Sequence, residues 1–494
     1  MSGENDNYQG QKVLKGFFWR FAERCGAQGV TFVVSVVLAR LLDPEVYGMI
    51  ALVTVFTTIL QVFVDSGMGS ALIRKKDADD LDFSTVFYFN LLACGILYLG
   101  IFLAAPLIAG FYGFPELTAV VRVLGLTVVV SGVKNVQQAY VSRHMLFRRF
   151  FWATLGGTAG AAAVGTVLAY LGYGVWALVA QQLFNLSVDT VILWITVKWR
   201  PKPVFSLERL GALFGFGWKM LASALLDTCY NNVRQLAIGK LYSSGDLAFY
   251  NRGRQFPDLV VSNINTSIDS VLLPAMADVQ DDTGRVREMT RRSIQTSVYA
   301  MAPLLVGIIC TAPVLVSTVL TDKWLPCIPY LRIFCITYIF YPIHTANLNA
   351  IKAMGRSDLF LKLEIMKKGV GLALLLATMR FGVMAMAYSL LVSSVFSQMI
   401  NAWPNRKLLD YGYREQLRDI LPSILLALFM GLAVWGVSLL PLPPLLVLAV
   451  QVVFGAEVYL TGSALFGLDA FVYLWRRLKA AAGGQAGGKG NEKT

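Results

Sequence analysis

From one end of this chain to the other, apolar runs recur that are long enough to cross a bilayer, and this limits what it can fold into. Roughly 17 to 25 apolar residues carry a helix through hydrocarbon, and in lipid only helices and closed barrels satisfy their own backbone polar groups. Spans are expected near residues 15–40, 44–68, 84–110, 117–141, 150–171, 174–197, 211–240, 247–274, 293–320, 328–352, 358–379, 382–403, 418–440 and 442–466. Between them no stretch is long enough for a soluble domain of ordinary size. The 494 residues are only 15% charged, against about 25% in a soluble domain. The expectation is an all-α polytopic membrane protein with N- and C-termini in the cytoplasm.

The net charge of +13 would suit a nucleic-acid binder if the basic residues formed one patch, but they do not. They gather in every second loop: Arg74, Lys75 and Lys76 after the second span, Arg143, Arg148 and Arg149 after the fourth, Lys198, Arg200 and Lys202 after the sixth. Arg285, Arg287, Arg291 and Arg292 follow the eighth, Lys352 and Arg356 the tenth, Arg406 and Lys407 the twelfth, Arg476 and Arg477 the fourteenth. The intervening loops hold little beyond Arg40, Lys240, Lys323 and Arg380. Strict alternation of this kind is the positive-inside pattern, and it supports an even number of helices. Two longer cytoplasmic connections, Arg74–Asp82 and Ala277–Arg292, mix both charge signs and read as solvated caps.

A weak repeat at an offset near 200 residues pairs Phe18-Trp19-Arg20 with Gly217-Trp218-Lys219, and Ala39-Arg40-Leu41 with Gly239-Lys240-Leu241. Parallel repeats of this sort place a cavity between two six-helix lobes. The expected organisation is a polar tail over 1–11, a first lobe over 12–200 and a second over 201–405. Two additional helices with a basic end follow over 406–479, and a disordered tail over 480–494.

Ionisable groups inside a span cost about 2.5 to 3.5 kcal/mol each, so they face a cavity or a partner. In the first span Arg20, Arg24 and Gln28 recur at four-residue spacing beside Glu23; in the seventh, Asp227, Asn231, Arg234 and Gln235; in the eighth, Asn251, Arg254, Asp258, Asn265 and Asp269. One polar face on an otherwise apolar helix meets water or protein, not lipid. Interhelical salt bridges such as Arg234 with Asp227 are the structural alternative. Weaker polar faces hold Lys134, Gln137 and Gln138, then Gln181, Gln182, Asn185 and Asp189, then Asn347 and Asn349, then Gln398 and Asn401. Amides of this kind also serve to bond neighbouring helices. Six scattered cysteines and two histidines offer no metal-ligand cluster, and no phosphate loop is present. The expectation is therefore no metal, no cofactor and no nucleotide, with an ion gradient as one energy source and Asp227, Asp258 and Asp269 as coupling candidates.

The segment from Ala39 to Gly48, with Asp43-Pro44-Glu45-Val46-Tyr47-Gly48, and the segment from Asp65 to Ile73 resemble the polysaccharide-transporter flippases of the multidrug/oligosaccharidyl-lipid/polysaccharide exporter superfamily. Tyr250-Asn251-Arg252, Pro257 and the run from Pro274 to Gln280-Asp281-Asp282 resemble the subgroup exporting acidic exopolysaccharides such as colanic acid. The similarity extends over roughly residues 12 to 475. It implies a twelve-helix pseudo-twofold core with two further helices in the bacterial inner membrane. It also implies alternating access, which moves an undecaprenyl-diphosphate-linked oligosaccharide to the outer leaflet alongside polymerase and assembly proteins. On that resemblance Arg20, Arg24, Arg252 and Arg254 are the expected diphosphate contacts, and Gln28, Asn231, Gln235, Asn265, Gln138 and Asn185 the expected sugar-facing residues. The alternatives are a cation-coupled drug exporter on the same frame and a membrane polymerase or ligase. The latter needs a large outer loop, and the far-side loops here are short.

Overall fold

A computed structural model describes residues 26–65, 68–75, 77–144, 146, 148–476 and 479. Among these the chain is helical, with no strand. Arg20, Glu23 and Arg24 lie outside the described residues. The chain divides into two compact units, residues 1–248 and 249–494.

The first unit holds α1 (Gly26–Leu41), α2 (Pro44–Asp65), α3 (Met68–Arg74), α4 (Asp80–Tyr112), α5 (Leu117–Arg143), α6 (Arg148–Tyr170), α7 (Val175–Thr196) and α8 (Leu207–Leu241). Their ends follow local chemistry. Pro44 opens α2, where its missing N–H costs nothing and its fixed φ suits a helix. Asp79 caps α4, its carboxylate accepting from the Asp82 backbone N–H at 2.9 Å while the Asp82 side chain reaches back to the Asp79 N–H at 3.2 Å. That is a capping box built from two aspartates. The motif residue Gly48 has a packing reason: a Cβ there would lie 1.8 Å from the Ser244 carbonyl oxygen. Gly239 of α8 likewise seats Leu52 of α2.

The second unit holds most of α9 (Ser244–Ala277), then α10 (Thr283–Val319), a 3-10 turn at Asp322–Cys327, α11 (Ile328–Ile339), α12 (Tyr341–Ala353), α13 (Ser357–Thr378), α14 (Val383–Leu408), α15 (Tyr413–Val437) and α16 (Pro444–Leu465). A further helix, α17, runs over 469–476. Ten helical segments among the described residues are long and apolar enough to cross a membrane, eleven when the bent α8 is counted as one span. A helix lies over each expected span, the first one in its described part.

Two details differ from the sequence reading. The span at 328–352 is two helices, broken at Phe340 ahead of Pro342, because Pro342 has no N–H with which to continue the helical hydrogen bonds of α11. The connection at 277–292 is helical from Thr283 onward, so α10 carries its arginines on a helix face instead of a loop. Asp282 starts it, accepting from the Arg285 N–H at 3.0 Å.

Candidate substrate-binding site

In the first unit, polar residues from three helices converge. Gln61 and Asp65 come from the last turn of α2, Thr127, Ser131, Lys134 and Gln138 from one face of α5, and Gln182 and Leu186 from α7. The α5 residues fall at three- and four-residue steps, the spacing that stacks side chains on one helix face. Together these eight residues line a cavity of about 360 Å3. Asp65 is held by donors: Gln61 Nε2 reaches its two carboxylate oxygens at 3.2 and 3.1 Å, and Asn135 Nδ2 donates at 3.3 Å. Buried Asn90 donates to Asn135 in turn, at 3.4 Å. Lys134 Nζ meets Asp189 Oδ2 at 2.5 Å, with both side chains mostly covered. The other oxygen, Asp189 Oδ1, is buried and has no hydrogen-bond partner among the described residues. The cavity therefore offers three amides, two hydroxyls, one carboxylate and one ion-paired ammonium.

In the second unit the charged face of α9 is partly covered. Arg254 Nε donates to Asp258 at 2.8 Å, both side chains remain about 40% exposed (39% and 42%), and Tyr338 lies beside the pair. Arg252 is different: it is 5% exposed, with its guanidinium 4.7 Å from the Trp324 ring centre and Nη1 on Gln255 at 2.5 Å. Gly253 between them brings α9 against α11, since a Cβ would meet the Leu331 nitrogen at 2.8 Å. Asp269 accepts from Asn349 Nδ2 at 2.7 Å. Asn265 is buried, and its Nδ2 lacks a partner among the described residues. Deeper still, fully buried Asn405 and Gln416 each bond fully buried Asn347, at 2.6 to 3.0 Å, and Asn405 Oδ1 has no hydrogen-bond partner among the described residues.

The remaining sequence candidates scatter. Gln28, Asp227 and Asn231 are exposed, and Gln235 is half-buried beside Asn232. Gln138 lines the first-unit cavity. Asn185 instead packs against Gly157 across α6 and α7, where a Cβ would lie 2.9 Å from its side-chain oxygen. Asp65 was visible only as part of a motif. Its role as a cavity wall shows once α5 and α7 are folded beside the end of α2.

The architecture is that of a membrane transporter: long apolar helices enclosing polar residues, with short connections. The chain belongs to the polysaccharide biosynthesis protein family, whose profile matches residues 37–329. It is similar to the teichuronic acid biosynthesis protein TuaB of Bacillus subtilis, 25% identical over 82% of this chain and 85% of that one. It is 25% identical to the succinoglycan biosynthesis transport protein ExoT of Rhizobium meliloti, over 66% of each chain. To the lipopolysaccharide biosynthesis protein WzxC of Escherichia coli it is 21% identical, over 86% of this chain and 89% of that one. Among solved structures the fold matches the lipid II flippase MurJ in an inward closed conformation, with a TM-score of 0.75 at 13% identity, over 91% of this chain and 98% of MurJ. An inward-facing multidrug-resistance MATE transporter matches at a TM-score of 0.60 and 15% identity, over 77% and 94%.

Proposed function

We propose that this protein is a flippase, carrying an undecaprenyl-diphosphate-linked oligosaccharide from the cytoplasmic to the outer leaflet of a bacterial inner membrane by alternating access. The observation that carries the reading is the cavity lined by Gln61, Thr127, Ser131, Gln138 and Gln182 within apolar helices. Amides and hydroxyls offer both donors and acceptors, which is what sugar hydroxyls require. The family membership and the relatives' roles in polysaccharide pathways support it. The alternation of basic loops supports fourteen spans with both termini in the cytoplasm.

In this reading Arg254 contacts the diphosphate, because arginine matches phosphate oxygens bidentately and its ion pair with Asp258 leaves it partly exposed. Arg20 and Arg24, in the first span expected from the sequence, are proposed to do the same. Arg252, covered by Trp324, holds α9 in place. Asp258 and Asp269 remain the coupling candidates of the second unit, with Asp227 on α8. The drug-exporter reading shares the fold, but arginine suits an anion better than an organic cation.

Cells lacking the protein test the proposal. Complete lipid-linked units should accumulate on the cytoplasmic leaflet. Units stranded outside would indicate a polymerase, and unchanged lipid-linked glycans with new sensitivity to cationic compounds would indicate drug export; either outcome refutes the flippase.

A further inference from the structure

The second unit carries another cavity, of about 510 Å3, far along the sequence from the residues assigned to transport. One wall is the first four turns of α10, with Arg287, Glu288, Arg291, Arg292 and Thr296 at helical spacing. The opposite wall is α17, with Asp469, Tyr473 and Arg476 on one face. Four arginines thus meet two carboxylates in one concave surface.

The arginines are not equally engaged. Arg291 is clamped by Asp419 through two bonds of 2.6 and 2.7 Å, and Asp419 is itself held by the Tyr411 hydroxyl at 2.8 Å. Arg292 pairs with Glu288 and lies 4.8 Å from the Tyr473 ring centre. Arg287 reaches Asp410 at only 3.4 Å, and that carboxylate is 90% exposed, so water screens the pair and it holds weakly. Arg476 is exposed and has no carboxylate within ion-pair distance among the described residues. Two guanidinium groups therefore face the cavity with donors to spare, beside two that are fixed in place.

On the other side of α17, Phe471 stacks on Trp475 at 6.0 Å and lies 6.4 Å from the Tyr299 ring of α10, while Trp475 is exposed with Lys479 5.4 Å from its ring centre; just before the helix, Leu465 and Phe466 are exposed as well. Exposed Phe466 and Trp475 beside the cavity's arginines are the composition of a membrane–water interface. We propose that this cavity binds the phosphate of an anionic phospholipid headgroup, with Arg287 and Arg476 as its principal donors and Thr296 and Tyr473 beside them. Basic pockets at this depth are the usual seat of such headgroups.

The test uses the full-length protein in a neutral detergent. Retained phosphatidylglycerol is measured by mass spectrometry, and thermal unfolding is followed with phosphatidylglycerol, with phosphatidylcholine and with inorganic phosphate. Phosphatidylglycerol should be retained and should raise the unfolding midpoint, while the other two do neither. In the double variant Arg287→Gln/Arg476→Gln the affinity should fall about fivefold per arginine removed. Arg476→Gln alone, which breaks no ion pair, gives the same readout if the double variant folds poorly. Equal retention by wild type and variants would overturn the site. Equal stabilisation by inorganic phosphate would overturn the assignment to a lipid.

Discussion

The largest polar cluster of the first unit and that of the second are placed in opposite ways. In the first, Gln61, Asp65, Lys134, Gln138 and Gln182 from three helices border open space, and Lys134–Asp189 leaves one carboxylate oxygen without a partner. In the second, fully buried Asn405 and Gln416 both bond fully buried Asn347, while Arg254–Asp258 is a half-exposed pair on a helix surface. The same residue types can thus be either a lining or an adhesive. Buried amides that bond one another and nearby backbone carbonyls lock helices together, whereas amides beside a cavity keep donors and acceptors for a solute.

The largest effect that would sharpen this contrast is at the ion pair. Lys134→Ala should destabilise the protein by about 3 to 5 kcal/mol, because it strands the buried Asp189 charge, read as a lowered unfolding midpoint in detergent. Replacing both partners, Lys134→Met with Asp189→Leu, should restore stability yet leave export impaired. Full export from the double variant would show that the pair is only structural.

Next comes Arg254. Arg254→Gln should lower export by about tenfold or more, the loss expected for a charge-assisted hydrogen bond, at normal membrane abundance. Arg254→Lys should recover only part of it, since an ammonium cannot make the bidentate contact. Equal export by the Gln and Lys variants would remove the diphosphate role.

In the buried amide group the reverse is expected. Asn405→Ala should cost about 1 to 3 kcal/mol of stability by taking the Asn405 donor away from the backbone and side-chain oxygens of buried Asn347, without altering which glycan is exported. A change of glycan selectivity would erase the distinction between the two regions.

The smallest effect is at the α4 cap. Asp79→Ala should cost about 1 kcal/mol. The hydrogen bond from the Asp82 backbone holds the Asp79 carboxyl below its usual range. Its contribution is therefore complete above the ordinary aspartate pKa and is lost as pH falls through the lowered one. Asp79→Asn should keep the cap and lose that acid dependence, seen by comparing unfolding midpoints at pH 7 and in acid.

How much of this was legible in the sequence varies with the physics of each feature. Apolar runs give away helices because a bilayer demands them, so even the polar stretches of α8 and α9 could be placed. Pro342 alone does not reveal that the span near 340 is broken, since prolines inside α9 and α10 leave those helices continuous. The Arg254–Asp258 pair was readable from four-residue spacing. The Lys134–Asp189 pair was not, because two partners 55 positions apart meet only when α5 and α7 pack. Arg252 and Arg254 look alike in sequence; Gly253 and Trp324 separate them, burying one and leaving the other accessible.

Transport of the glycan is read with purified protein in liposomes carrying a polyprenyl-diphosphate-linked oligosaccharide on the outer leaflet. The fraction of glycan protected from an added membrane-impermeant glycosidase is followed over time. A flippase gives protection that depends on the protein and is reduced in Arg254→Gln. No protein-dependent protection, with the same preparation moving an organic cation across the bilayer, would contradict it.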